Sequence, residues 1–273
     1  MSTLTTAPDI ESLKSRLRAT WMAGDYDRFS RYMENDARSF YERLDVPPGA
    51  QLLDVACGSG QVALIAAREG VQVTGVDIAD NAIERAQARS MAEGLSARFR
   101  VADAESLPFP DASFDVVVSM IGAMFAPRPD LVAREFTRVC APAGTIAMAN
   151  WTAEGFVGKM FRTIARFIAP SGMPSPLLWG DEAIVRERFG AQVRELQCTR
   201  RHYALDYPFP PSDVVDFFRL YYGPINRAFA SLDPAGQKSL HEQLDALWSE
   251  ANRGRDGLTL VHAEYLEVIA TRA

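Results

Sequence analysis

Short apolar strands alternate with helix-like segments through the middle of the chain, and this alternation constrains the fold more than any other feature of the sequence. It begins with "LLDVACGSGQ" at residues 52–61, where an apolar run ends in a loop with two glycines and a helical pattern follows. Strands that alternate with helices pair in parallel and are covered on both faces, so the pattern predicts a doubly wound α/β fold. Such a sheet places ligands at the carboxyl ends of its strands.

The same patterning assigns seven strands and the helices around them. The predicted strands are 51–55, 72–76, 97–102, 114–119, 144–150, 193–205 and 259–271. The predicted helices are 9–23, 26–44, 60–69, 80–92, 129–139, 154–168 and 181–189, with mostly helical sequence over 212–252. We expect a mostly parallel seven-stranded sheet in which one of the last two strands is antiparallel to the rest.

These elements divide the chain into three parts. Residues 1–45 are predicted to form an N-terminal helical cap, 46–151 a core that carries the glycine loop, and 152–273 the remainder of the sheet with a helical lid. The lid is assigned to 152–192 and 206–257. Their abundant aromatic residues predict an apolar lining over the ligand-binding edge of the sheet.

Composition excludes several classes of function. The net charge of −6 argues against a nucleic-acid partner, since proteins that bind nucleic acid carry a basic face. Three widely spaced cysteines and three scattered histidines indicate neither a disulfide framework nor a metal site. The chain shows no signal-peptide pattern and no apolar run of the roughly 18–20 residues that span a bilayer. We therefore expect a cytoplasmic protein without stable membrane insertion.

The glycine loop has two interpretations. Residues 58–63 fit the G-x-G-x-x-A form of a dinucleotide fingerprint, and Asp77 lies 17 residues after Gly60, near the spacing of an acid that binds ribose. Asp54, however, lies inside the strand before the loop, where a carboxylate would repel a pyrophosphate but could order a loop around an amino group. Asp103 ends the third strand and could accept a hydrogen bond from an adenine amino group. These acids favour an adenosyl sulfonium over a nicotinamide dinucleotide.

Four motifs in order resemble those of the class I S-adenosylmethionine-dependent methyltransferases, in particular the ubiquinone/menaquinone-biosynthesis-type branch. They are "LLDVACGSG", "VTGVDIAD", "VADAESLPFPDASFDVVVS" and "GTIAMANW". The resemblance covers residues 45–151 closely, whereas 15–44 and 152–273 resemble only a broad bacterial subgroup. It implies a Rossmann-like fold and methyl transfer from S-adenosylmethionine, which leaves S-adenosylhomocysteine. The aromatic lining predicted for the lid favours a small, largely apolar or aromatic acceptor, which would be methylated on O, N or C.

The resemblance also implies the residues that bind the cofactor. Asp54 would order the cofactor's ammonium group, Asp77 would take the ribose hydroxyls, and Asp103 would bind the adenine edge. The other implied residues contact the methionine portion or the adenine: Ala56, Gly58, Gly60, Ile78, Ala104 and Ser119.

No catalytic residue stands out in the sequence. A base is needed only if the acceptor must lose a proton. Tyr221, Tyr222 and His202 are the candidates, the tyrosines as groups that position the acceptor. Two alternatives stay open: C-methylation in a quinone pathway, and S-adenosylmethionine binding without catalysis. The expected partner is a small-molecule acceptor, and the sequence is compatible with a homodimer.

Overall fold

A seven-stranded sheet runs through the part of the chain that the computed structural model describes, residues 9–169 and 172–273. Its strands are β1 (Gln51–Val55), β2 (Gln72–Asp77), β3 (Arg98–Val101), β4 (Phe114–Met120), β5 (Cys140–Trp151), β6 (Val193–Tyr207) and β7 (Thr259–Arg272). Their order across the sheet is β3-β2-β1-β4-β5-β7-β6. The first five strands are parallel, and β7 is antiparallel to both β5 and β6. The predicted mostly parallel, doubly wound sheet is confirmed, and its antiparallel strand is β7.

Helices cover both faces of the sheet and its carboxyl edge. In chain order they are α1 (Ile10–Trp21), α2 (Tyr26–Ser30), α3 (Glu34–Glu42), α4 (Gln61–Arg68), α5 (Asp80–Ala92), α6 (Pro129–Val139), α7 (Phe156–Ile164), α8 (Glu182–Phe189), α9 (Pro211–Tyr221), α10 (Gly223–Ala230) and α11 (Pro234–Ala251). Within the described ranges, no helix has the length and apolar character needed to cross a bilayer.

Two of the predicted helices are divided in the structure. The helix expected over 26–44 is α2 and α3, separated by a short 3-10 turn at Arg31–Met33. The helical sequence at 212–252 is divided into α9, α10 and α11, because Tyr222 is extended between the first two and Pro234 begins the third. Residues 1–8 of the predicted cap and residues 170 and 171 of the predicted lid lie outside the described residues.

The register of the parallel strands brings the chemically interesting residues to one edge. Asp54 of β1 is level with Gly75 of β2 and Val118 of β4, and Asp77 is level with Val101 at the end of β3. Parallel strands have their carboxyl ends at the same edge, where doubly wound sheets bind ligands. The three predicted acids therefore share one end of the sheet.

The first helix and the helices before β7 form a common layer at this edge. Gly24, just after α1, pairs with Tyr222 in a short antiparallel bridge. A Cβ on Gly223 would lie 2.0 Å from the carbonyl oxygen of Thr20, so only glycine allows this close approach of α10 to α1. Two distant parts of the chain thus meet over the strand ends.

Candidate active site

The loop between β1 and α4 bends in a way that favours small residues. Ala56, Gly58 and Gly60 all have positive φ, at 58°, 54° and 88°, in the left-handed region that glycine adopts without steric cost. A Cβ on Gly60 would also lie 3.3 Å from both Leu64 Cγ and Phe99 Cζ. Position 60 therefore needs glycine for its conformation and for its packing. Its carbonyl accepts a 2.8 Å hydrogen bond from Leu64 N and so begins α4.

Asp54 is buried beneath this loop. Its Oδ2 accepts a 3.1 Å hydrogen bond from Ala63 N in the first turn of α4. Burial raises the pKa of Asp54 to about 7, while the hydrogen bond from Ala63 lowers it and the negative charge of Asp77 raises it. The carboxyl group thus connects β1 to α4 and lines a cavity beside the loop.

Asp77 binds the same loop from the end of β2. Its Oδ2 accepts a 2.9 Å hydrogen bond from Gly58 N, and its Oδ1 accepts another of 2.9 Å from Ala79 N. Burial raises the pKa of this carboxyl group, and the hydrogen bonds from Ala79, Gly58 and Ile78 offset only part of that rise. Each carboxylate oxygen can accept two hydrogen bonds, so both keep capacity for a ligand.

Asp103 lies after β3 and forms an ion pair that the sequence did not indicate. Lys14 of α1 contacts its Oδ2 and lies 2.6 Å from Glu105 Oε2. The side chain of Glu105 is buried, and its Oε2 also lies 2.8 Å from Arg128 Nε. Burial lowers the pKa of Lys14, but hydrogen bonds to Asp103 and Glu105 outweigh it, so the ammonium stays charged. These contacts hold α1 over the strand ends.

A signal for this arrangement was present in the first predicted helix. Lys14 and Arg18 lie four residues apart and therefore on one face of α1. Arg18 Nε donates a 2.8 Å hydrogen bond to Asp80 Oδ2 at the start of α5. Two basic residues on one face, opposite a sheet edge rich in acids, could have indicated where α1 docks.

Three adjoining cavities lie at this edge of the sheet. Each volume is given with the space open to solvent included. The first, here called the strand-end cleft, spans about 790 Å3 and includes Asp77, Asp103 and Lys14 in its lining. The second, the loop cavity, spans about 420 Å3 beside Asp54. The third, the apolar cavity, spans about 400 Å3 between Trp151, Met160, Phe218 and other apolar side chains. Tyr26 and Ile121 line all three cavities and mark their junction.

Most of the residues predicted to bind the cofactor come together here. Gly60 and Ser119 lie outside the three linings but support them, since Ser119 Oγ accepts a 2.9 Å hydrogen bond from Ala123 N in the loop after β4. A Cβ on Gly122 of that loop would lie 2.6 Å from the Cβ of Ala56, so the two loops touch. The other seven line the strand-end cleft, the loop cavity or both: Asp54, Ala56, Gly58, Asp77, Ile78, Asp103 and Ala104.

The three candidate catalytic residues are not brought together. Tyr222 lines the apolar cavity. The ring of Tyr221 instead lies under the guanidinium of Arg28, 4.6 Å from its carbon, and outside the three linings. His202 is exposed on β6, with its ring 6.2 Å from that of His262. Of the three, the structure places only Tyr222 where an acceptor could contact it.

The described residues offer little for metal or thiol chemistry. Among them, no group of three or more His, Cys, Asp or Glu could hold a metal ion. Cys57 is a free thiol beside the glycine loop. Burial raises its pKa well above the usual value, and the charges of Asp54 and Asp77 raise it further, so the thiol stays protonated.

Comparison with known proteins identifies relatives over most of the chain. Residues 53–148 match the family model described as a methyltransferase domain. An uncharacterized protein of Mycobacterium tuberculosis is 36% identical over 231 residues, which cover 84% of each chain. Methyltransferase GfsG of Streptomyces halstedii is 39% identical over 125 residues, or 45% of each chain.

Solved structures share the fold over most of the chain. The YcgJ protein of Bacillus subtilis aligns with a TM-score of 0.61 at 20% identity, covering 87% of this chain and 98% of that one. The [4+2]-cyclase SpnF aligns with a TM-score of 0.60 at 18% identity and covers 98% of both chains. At such identities the likeness shows the fold alone, whereas the family model covers the glycine loop and all three acids. The chain thus carries a methyltransferase domain at residues 53–148 and is an S-adenosylmethionine-dependent methyltransferase.

Proposed function

We propose that this methyltransferase transfers the methyl group of S-adenosylmethionine to O, N or C of a small, largely apolar or aromatic acceptor. The observation that carries the proposal is the position of the apolar cavity, which spans about 400 Å3 with space open to solvent included and adjoins the strand-end cleft and the loop cavity at Tyr26 and Ile121. A ligand that filled the two other cavities would present its central part at this junction. An acceptor in the apolar cavity would then face that part directly.

The residues at the strand ends fit the parts of the cofactor. Adenine amino and ribose hydroxyl groups need acceptors, and Asp103 and Asp77 line the cleft that would hold them. The ammonium of the methionine portion needs a negative charge, and Asp54 lines the loop cavity. A Cβ on Gly58 would lie 3.0 Å from Tyr26 Cε1, so a side chain at position 58 would press on a ring that lines the same two cavities.

We assign the cofactor contacts accordingly. Asp77 binds the ribose hydroxyls, and Asp54 orders the ammonium. Asp103 binds the adenine amino group with the hydrogen-bonding capacity that its carboxylate keeps beside the ion pair with Lys14. The structure adds this ion pair as a constraint on how Asp103 can bind. The surrounding residues contact adenine (Ile78, Ala104), contact the methionine portion (Ala56, Gly58), or hold the loops in place (Gly60, Ser119).

The cofactor, when bound, supplies a methyl group already activated on a sulfonium. The protein therefore has to align the acceptor behind the methyl carbon and exclude water, and proximity and orientation can contribute roughly 7–11 kcal/mol. The ring of Tyr26 lies at the junction of the cavities, with Trp21 edge-on at 6.1 Å between ring centres. Aromatic faces close to a cation add about 0.5–2 kcal/mol. We propose that the cap and the helices before β7 close this junction to water.

C-methylation in a quinone pathway is the second candidate. The 2-methyl-6-phytyl-1,4-hydroquinone methyltransferase of Synechocystis is 39% identical over 107 residues, which cover 39% of this chain and 33% of that enzyme. A likeness of this extent supports a shared cofactor-binding part more than a shared acceptor. The helical sequence at 206–257 lies over the acceptor cavity and is the departure from that branch.

Calorimetry followed by an acceptor panel tests the proposal. We expect the full chain to bind S-adenosylmethionine and S-adenosylhomocysteine but not NAD. Incubation with quinols, phenols and heterocyclic amines should then give products heavier by one methyl group, read by mass spectrometry. Binding of NAD in place of the methyl donor, or bound cofactor with every acceptor left unmethylated, would contradict the proposal.

A further inference from the structure

We infer that the acceptor enters the apolar cavity already ionised, as an apolar molecule bearing an acidic hydroxyl or thiol, and that the protein supplies no base to deprotonate it. This inference rests on the proposed function and narrows its acceptor class. It also gives the phenols of Tyr26 and Tyr222 a specific role, which is to donate hydrogen bonds to the acceptor anion.

The lining of the apolar cavity offers few polar atoms. Among the described residues around it, the polar groups are the phenols of Tyr26 and Tyr222 and the indole N–H groups of Trp21 and Trp151. Every other lining side chain is aliphatic, aromatic or methionine. The indole N–H only donates hydrogen bonds, so the phenols are the one kind of group here that could accept a proton after ionising.

Neither phenol is suited to act as a base. Burial raises the pKa of Tyr26, and the nearby charge of Asp77 raises it further. Burial and the neighbouring Tyr26 raise the pKa of Tyr222 in the same way. Both hydroxyls therefore stay protonated, and a protonated phenol donates a hydrogen bond to an anion beside it.

The titratable groups around the cavity are already engaged or are directed elsewhere. Asp54 and Cys57 line the loop cavity beneath the glycine loop, where the methionine portion would lie. Asp77 lines the strand-end cleft and binds two loop N–H groups. Tyr203 donates a 2.7 Å hydrogen bond to Met33 O. Tyr207 packs behind Phe218 with 5.9 Å between ring centres, and burial raises its pKa.

Charge balance distinguishes the possible acceptors. An alkylamine enters as a cation, and methylation of a neutral ring nitrogen leaves a cation, yet no carboxylate lines the described walls of the apolar cavity. Burial of an unpaired charge is costly. An anionic acceptor instead meets the positive sulfonium and leaves as a neutral product. Its lone pair forms the bond to the methyl carbon, the C–S electron pair stays on sulfur, and the proton has already gone to solvent.

Kinetics with acceptors of matched size test the inference. A series of ring-substituted phenols and thiophenols, with pKa values spread across neutrality, would be methylated by the full-length protein with saturating S-adenosylmethionine over a range of pH. We expect the pH at half-maximal kcat/KM to follow the pKa of each acceptor. An identical midpoint for all acceptors would reveal a base on the protein and overturn the inference. H202Q, which changes an exposed imidazole, should leave each profile unchanged.

A binding measurement gives a readout that does not depend on turnover. 4-Nitrophenol absorbs visible light only when ionised, so its absorbance reports its charge in the complex. With sinefungin, a cationic cofactor analogue that transfers no methyl group, we expect a larger ionised fraction of bound 4-nitrophenol than with S-adenosylhomocysteine. Y222F should reduce that fraction. Binding of the protonated form alone would overturn the inference.

The two proposals fail in different ways. If amines or ring nitrogens were methylated and ionised phenols and thiols were inert, the inference would be wrong and the proposed function would stand. If the protein did not bind S-adenosylmethionine, the proposed function itself would fall.

Discussion

Three carboxylates at neighbouring strand ends have three different environments. Asp54 is buried and accepts a hydrogen bond from one backbone N–H, Asp77 is buried and accepts hydrogen bonds from two, and Asp103 forms an ion pair with Lys14. A buried carboxyl group without a cation keeps its proton to higher pH because ionisation in a poorly solvated site is costly. The same residue type therefore supplies a group that titrates near neutrality at Asp54 and a charge-paired acceptor at Asp103.

Replacing Asp54 tests its raised pKa. In the folded protein Asp54 keeps its proton up to about pH 7, whereas aspartate in the unfolded chain ionises near pH 3.8. The free energy of unfolding therefore falls as the pH rises through that interval, and Asp54 causes no further change above it. D54N lacks this titration. We expect the free energy of unfolding of D54N to rise relative to wild type between about pH 4 and pH 7, by at most about 4 kcal/mol. Urea unfolding at several pH values measures this, and D206N, at an exposed carboxylate, should show no such trend.

The contact between the two glycine-containing loops can be tested by adding a single methyl group. In G122A the new Cβ would lie 2.6 Å from both the Cβ and the carbonyl oxygen of Ala56. Forcing atoms into a packed site costs about 1–3 kcal/mol, and in G122A the strain would shift Ala56, which lines both cavities that we assign to the cofactor. We expect at least tenfold weaker binding of S-adenosylhomocysteine by calorimetry. G236A, whose Cβ would meet only side-chain atoms in the first turn of α11, is the matched control.

Adjacent tyrosines provide a matched pair for the acceptor. Tyr222 lines the apolar cavity, whereas Tyr221 packs against Arg28 outside it. A hydrogen bond to a charged group contributes about 1.5–3 kcal/mol, so Y222F should lower kcat/KM for the acceptor roughly tenfold or more. Y221F should remain near wild type. Equal kinetics for the two variants would remove Tyr222 from the acceptor site.

At the scale of elements, α1 is anchored by ion pairs on one side and by a close glycine contact on the other, besides its apolar packing. Lys14 pairs with Asp103 and Glu105, and Gly223 lets α10 approach its last turn. K14M would remove the ammonium and leave the buried carboxylate of Glu105 with Arg128 alone. We expect at least tenfold faster amide hydrogen exchange across Ile10–Trp21 in K14M.

The control for this prediction is another lysine on a helix. Lys238 lies 3.9 Å from Glu242 on the surface of α11, where an exposed ion pair contributes little. K238M should leave exchange in α1 unchanged. If α1 exchanged at the wild-type rate in K14M, or if cofactor binding left its exchange unaltered, the assignment of α1 as a cover for the strand-end cleft would be wrong.

At the scale of the whole molecule, the last third of the chain is part of the same folded unit as the core. β7 pairs with β5 along seven residues of the latter, from Thr145 to Trp151. Trp248 of α11 is buried against Phe156, Phe218 and Tyr207, at 4.5, 5.2 and 6.0 Å between ring centres. These rings connect α7, α9, α11 and β6 above the apolar cavity.

W248A tests whether these parts unfold together. Removing a buried tryptophan ring costs about 3–5 kcal/mol. We expect that loss in the free energy of unfolding, with one cooperative transition kept in both near- and far-ultraviolet circular dichroism. L220A removes a side chain that is 59% exposed and should change stability little. Separate transitions for the helices and the sheet would show that the lid is an independent domain.

The sequence by itself determined the sheet, its glycine bend and the acids at the strand ends. Strand and helix periodicity are local properties, and the geometry of a parallel sheet brings successive strand ends together without further information. Asp54, Asp77 and Asp103, which we propose bind the cofactor, could be placed at one edge of the sheet for that reason. The break at Arg31–Met33 was missed, because helical periodicity continues across it, and 212–252 was assigned as mostly helical without the boundaries at Tyr222 and Pro234.

Only the tertiary structure decided what lies above the sheet edge. The pairing of Lys14 with Asp103 joins residues 89 positions apart, and the apolar cavity is enclosed by residues from the cap, the core and the lid. Such contacts depend on how helices dock, and the basic face of α1 at Lys14 and Arg18 indicates that this helix meets acids without specifying which acids. For the same reason His202 looked like a candidate base on its strand, while the fold leaves it exposed and places Tyr222 at the cavity.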